Sequence, residues 1–95
     1  MVMKNLKFTI YTAFLGNIGK NIRALAYDFT ESEIIIYGYL DCTPNDMDYE
    51  SIDMAITEII SSYPNFTSQN IILSESYEPI GKLSFYKGWI FARKE

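Results

Sequence analysis

Histidine is absent from this 95-residue chain, and cysteine occurs once. The first absence removes the usual general base, the usual activator of a nucleophile and the commonest metal ligand. The second excludes an intrachain disulfide, and a lone Cys42 can neither build a structural zinc site nor act as a nucleophile without a histidine to activate it. A domain that does without disulfides fits a reducing compartment, so the expected location is the cytoplasm. No apolar run approaches the roughly 18 residues of a membrane helix, which predicts no membrane association. A phosphate-cradling loop is missing too, because Gly16 and Gly19 are not followed by a helix signal. No catalytic group, cofactor or metal site is therefore expected.

Basic residues are missing from a long central stretch. Lys4, Lys7, Lys20 and Arg23 lie at the start and Lys82, Lys87, Arg93 and Lys94 at the end, whereas every acidic residue except Glu95 falls between Ala24 and Gly81. The net charge is −4. An acidic centre repels nucleic acid and attracts basic proteins, although a solvated surface would look the same.

What remains is 48% apolar and 21% charged, the balance of a globular chain, and its length suits one domain over 1–95. Lys4 and Lys7 precede an apolar stretch at 8–15, and Ala24-Leu25-Ala26 imitates a cleavage site. Yet Lys20, Asn21 and Arg23 intervene where a cleavage region should be small and uncharged. Thr9, Tyr11 and Thr12 also interrupt the apolar stretch, so 8–15 reads as a strand and not as a secretory signal.

Further strands are expected over 22–29 and 34–40, separated by Thr30-Glu31-Ser32. The period then changes. Ile52, Ala55, Ile56, Ile59, Ile60 and Tyr63 recur at helical spacing, with either Thr43 as N-cap and Pro44 at the first position or Asp46 or Asp48 capping a slightly later start, and Pro64 as the stop. Two last strands, 70–77 and 83–93, are joined by the turn Glu78-Pro79-Ile80-Gly81. The expected fold is α+β, in the order β-β-β-α-β-β: a five-stranded, mainly antiparallel sheet with one amphipathic helix on one face.

One helix covers one face only, and both faces carry large side chains. Ile34, Ile36 and Leu40 share one face of their strand, and Ile35, Tyr37 and Tyr39 share the other. Leu25, Tyr27 and Phe29 alternate with Ala24, Ala26 and Asp28, and strict alternation pairs Trp89 with Phe91 against Ile90 and Ala92. Such a second face is either covered by loops or a second copy of the chain, or left open for a partner; tyrosine suits the latter.

The chain resembles bacterial toxin-immunity proteins, especially those paired with contact-dependent growth-inhibition and related polymorphic toxins. The likeness is carried by Tyr63-Pro64 at the helix end and by the tail from Gly88 through Trp89 and Arg93 to Glu95. The resemblance implies a cytoplasmic inhibitor that binds one cognate toxin domain, often a nuclease. It transfers no interface residue, since different immunity proteins use different surfaces.

Two other readings stand beside it: a homodimeric regulatory or structural domain, and a carboxylate enzyme holding a metal. Against the latter, Asp46, Asp48, Glu50 and Asp53 run into a helix and lack the alternating ligands and central glycine of a calcium loop. The residues expected to meet a basic partner are Tyr37, Tyr39, Asp41, Asp46, Asp48, Glu50 and Asp53. The carboxylates would supply association rate and the tyrosines anchoring contacts, with neutralisation of the four helix acids expected to leave the fold intact.

Overall fold

The computed structural model describes residues 5–94, so Lys4 and Glu95 lie outside the described residues. The first element is α1, Leu6–Phe14, a helix where a strand was expected. Leu6, Ile10, Ala13 and Phe14 are buried at helical spacing, while Phe8, Tyr11 and Leu15 face solvent. The aromatic and β-branched composition that favours a strand is overridden by this packing. Thr9 and Thr12 fit because their hydroxyls donate to the carbonyls of Asn5 and Phe8, four residues back. The helix ends at Leu15, whose backbone is extended, and Gly16, at φ +82°, supplies the left-handed residue of the turn that the Asn17 N–H closes on the Phe14 carbonyl at 3.0 Å.

The strands β1 (Ile22–Phe29) and β2 (Glu33–Leu40) form an antiparallel hairpin. Thr30 closes it, its N–H donating to the Glu33 carbonyl at 2.8 Å. The alternation read from the sequence holds: Ile34, Ile36 and Leu40 are wholly buried, and Tyr37 and Tyr39 are half-buried on the other side. Gly38 has a packing reason, since a Cβ there would lie 2.5 Å from Leu73 Cδ2.

Helix α2, Asp46–Ser62, takes the later of the two expected starts, and its N-cap is Asn45 instead of Thr43, Asp46 or Asp48. Asn45 and Asp48 form a capping box: the Asn45 side chain accepts from the Asp48 N–H at 3.1 Å, and the Asp48 carboxylate accepts from the Asn45 N–H at 2.9 Å. Ile52, Ala55, Ile56 and Ile59 are fully buried, and the helix stops at Tyr63, before Pro64. Burying each isoleucine contributes roughly 1.5–3 kcal/mol against leaving it in water.

The chain then enters β3, Ser68–Glu75, which pairs in parallel with β2; α2 is the crossover that parallel pairing requires. After a 3-10 turn at Ile80–Lys82, β4 (Gly88–Ala92) pairs antiparallel with β1. The expected hairpin between the last two strands does not form, because β3 and β4 occupy opposite edges of a sheet ordered β3-β2-β1-β4. The architecture is α+β, as expected, but as a four-stranded mixed sheet with two helices, in the order α-β-β-α-β-β. Both helices contribute to the cluster that includes Ile34, Ile36 and Leu40, which places them on the same face.

Candidate partner-binding surface

The other face of the sheet is built from aromatic rings over a floor of alanine. In the register, Ala24 lies beside Tyr39 and Ala26 beside both Tyr37 and Trp89. The two alanines are nevertheless fully buried, because larger neighbours roof them. Trp89 reaches this face through a bulge. Leu25 pairs with Phe91 and Ala26 with Trp89, so Ile90 is an extra residue that turns Trp89 and Phe91 to opposite sides. This corrects the strict alternation that set those two rings together.

Residues ahead of β4 extend the cluster. Tyr86 stacks on Tyr37 with ring centroids 3.6 Å apart and planes 10° from parallel. Trp89 packs edge-on to Tyr39 at 6.2 Å and against Phe85 at 5.9 Å. The Tyr39 hydroxyl donates to the Ser84 carbonyl at 2.7 Å, tying the loop to the sheet. Tyr86 holds φ 51°, a left-handed backbone unusual for an aromatic residue. Gly88 lies against Tyr27, whose Cε1 would sit 3.1 Å from an added Cβ. Even with the loop in place, Phe85, Tyr86 and Ile72 remain 53%, 48% and 43% exposed.

Electrostatics around the rings are acidic. Burial, followed by the proximity of Tyr86, Asp28 and Glu33, pushes the Tyr37 phenol above its usual range. Burial and Tyr86 do the same to Tyr39. Asp28 is offset by Lys87 at 3.4 Å, and Asp41 by Arg93 at 3.0 Å.

The seven residues expected at the interface are not gathered into one patch. Tyr37 and Tyr39 share the aromatic face, and Asp41 sits just past β2, bonded to Arg93. Asp46, Glu50 and Asp53 are exposed on α2, which packs against the opposite face of the sheet. Asp53 accepts a hydrogen bond from the Gln69 side chain. Asp48 is only 8% exposed, with its carboxylate committed to the helix cap. That corrects the expectation that all four helix acids can be neutralised without cost to the fold. Phe85, Tyr86 and Trp89 were not among the expected residues. Only their aromatic character signals them, since neither the bulge nor the left-handed turn is written in local composition.

These features define a small α+β protein with one sheet face packed under helices and the other left as a half-exposed aromatic surface. The chain belongs to the MafI2 immunity protein family, whose model matches residues 3–95. It is thus a toxin-immunity protein of the polymorphic-toxin type, a class that is generally non-catalytic. No curated protein sequence matches the chain.

Proposed function

We propose that this immunity protein neutralises its cognate toxin domain, a nuclease, by docking it on the aromatic sheet face in the cytoplasm. The observation that carries the reading is the cluster of Tyr37, Tyr39, Phe85, Tyr86 and Trp89, large rings held rigid by one another and still half-exposed. Such rings anchor interfaces at low cost in conformational entropy. Asp41 lies at the end of β2 beside them, and Asp46, Glu50 and Asp53 act from the far side of the sheet. Carboxylates at that remove still attract a basic toxin, because steering works over about a Debye length and sets association rate more than affinity. The same acidity turns nucleic acid away, so inhibition runs through the toxin protein.

The test is co-expression with the toxin domain encoded beside the gene, followed by binding kinetics. Growth rescue and a stable complex are expected. Tyr37→Ala or Tyr39→Ala should speed dissociation, while the triple change Asp46→Asn, Glu50→Gln, Asp53→Asn should slow association and flatten its salt dependence. Absence of both rescue and complex refutes the reading. A dimer whose formation covers the aromatic face in the free protein would move that face from toxin docking to self-association.

A further inference from the structure

The two edges of the sheet are treated differently. The β4 edge is short, five residues, and the Tyr11 hydroxyl donates to its Trp89 carbonyl at 3.1 Å. Lys87, Arg93 and Lys94 flank it. Short length, a capped carbonyl and cations are the usual means of keeping an edge from recruiting another strand. The β3 edge has none of these. It runs for eight residues, Ser-Gln-Asn-Ile-Ile-Leu-Ser-Glu, with no proline, no lysine and no bulge in its register with β2.

Its backbone polarity follows from the pairing. The Ser68 N–H donates to the Ser32 carbonyl at 3.1 Å, and the Ser76 N–H to the Leu40 carbonyl at 3.0 Å. In a parallel pair alternate residues bond the same neighbour. Even-numbered residues of β3 therefore turn their N–H and C=O groups towards β2, and Gln69, Ile71, Leu73 and Glu75 turn theirs outward. Among the described residues, nothing bonds those outward groups. The edge also continues the aromatic surface, since Ile72 lies beside Tyr37 in the register and is 43% exposed.

Charge selects the occupant. Asp53 holds the Gln69 amide at one end of the edge, and Glu75 stands at the other, where it accepts from Thr43. No basic residue occurs between Ala24 and Gly81, and Arg23, whose guanidinium donates to the Ser76 carbonyl beside Glu75, is itself buried at 5% exposure. Antiparallel self-pairing centred on Ile72 would set Glu75 opposite Gln69, bringing Glu75 of each copy towards Asp53 of the other; like charges would meet at both ends. A strand carrying lysine or arginine near its ends and apolar residues between them meets both carboxylates and Ile72.

We infer that the β3 edge takes an extended, basic-ended segment of the toxin as a fifth strand of the sheet, an assignment that rests on the toxin-neutralising reading above. The added strand bonds the outward groups of Gln69, Ile71, Leu73 and Glu75 and widens the aromatic face beyond Ile72.

Amide hydrogen exchange, followed residue by residue in the free chain and in complex with the toxin domain encoded beside the gene, tests it. The outward amides of Ile71 and Leu73 should slow at least about tenfold in the complex, while those of Asn70 and Ser74, already bonded to β2, should change less. Gln69→Pro removes one outward N–H without touching the β2 ladder and should bind about tenfold more weakly than Gln69→Thr, which loses the same side-chain amide but keeps the N–H; equal affinities of the two variants would overturn the assignment. If the complex forms and growth is rescued but the outward amides exchange as before, the edge assignment is wrong and the toxin-neutralising reading stands. If no complex forms and growth is not rescued, the functional reading itself fails and takes this inference with it. Protection that grows with concentration of the free chain, alongside a dimer in light scattering, would make a second copy the occupant and overturn the assignment.

Discussion

Replacing Tyr86 by alanine and by glycine should give an inverted order of stability. Tyr86 combines φ 51° with a ring stacked 3.6 Å from Tyr37. Either substitution removes the stack, which contributes about 0.5–1.5 kcal/mol beyond area burial, so with half the ring already in water the loss is about 2 kcal/mol. Alanine keeps the left-handed backbone and its cost of about 1–2 kcal/mol. Glycine relieves that cost and gives back only about 0.4–1 kcal/mol through the greater freedom of its unfolded chain. Tyr86→Gly should therefore be about 1 kcal/mol more stable than Tyr86→Ala, a gap of about 4–8 °C in Tm for a domain of this size. Urea unfolding followed by circular dichroism reads the difference directly. A glycine variant no more stable than the alanine variant would refute the left-handed turn as a site of stored strain. Toxin affinity provides the independent axis. If the aromatic face docks the toxin, both variants should weaken binding to the same degree, because they lose the same ring.

The helical register of α1 predicts that Ile10→Ala costs about 2–5 kcal/mol and Phe8→Ala less than about 0.5 kcal/mol by chemical denaturation; similar costs at both positions would favour the strand they would share. Asn45→Ala should cost about 1 kcal/mol by breaking the capping box, whereas Asp46→Asn, exposed in the first turn, should change stability by less than half of that. The raised phenol ionisations of Tyr37 and Tyr39 place a stability loss at alkaline pH. The folded state holds these protons more tightly than the unfolded chain, so their contribution is complete below pH 10.0, the usual phenol value, and disappears as pH rises through the folded ionisations. Absorbance titration near 295 nm should show these two phenols ionising after exposed tyrosines, and Tyr37→Phe should remove part of the alkaline loss.

Legibility in the sequence followed the strength of each local signal. Helix α2 could be read because four apolar positions keep the 3.6 period and Pro64 ends it, and β2 because its alternation is strict. Helix α1 is masked in the sequence although Leu6, Ile10, Ala13 and Phe14 carry the helical spacing, since threonine, tyrosine and phenylalanine between them favour extended backbone. The order of the strands was out of reach. The turn signal at Glu78-Pro79-Ile80-Gly81 is genuine, but it leads into a 3-10 turn; the α2 crossover carries β3 to the outer edge of β2, and β4 returns to pair with β1 at the opposite edge. The expected interface joined Tyr37 and Tyr39 to Asp46, Glu50 and Asp53 because they are near in sequence. The reversal between β2 and α2 puts them on opposite faces, and nearness along the chain carries no information about that.

The same reversal leaves a mark on the one thiol. Cys42 sits between β2 and α2, where partial burial and then the carboxylates of Asp41, Asp48 and Glu75 raise its ionisation above the ordinary range. Thiolate is the form that alkylating agents, peroxides and disulfides react with, so this cysteine is chemically quiet at neutral pH. Burial and Asp41 contribute most to this quiet, and Asp48, held in its cap, adds to it. Fraying of the first turn of α2 would remove the Asp48 contribution and uncover the thiol, leaving it more open to reagents. The rate at which a small maleimide labels Cys42 is thus a built-in gauge of how often that helix end comes undone.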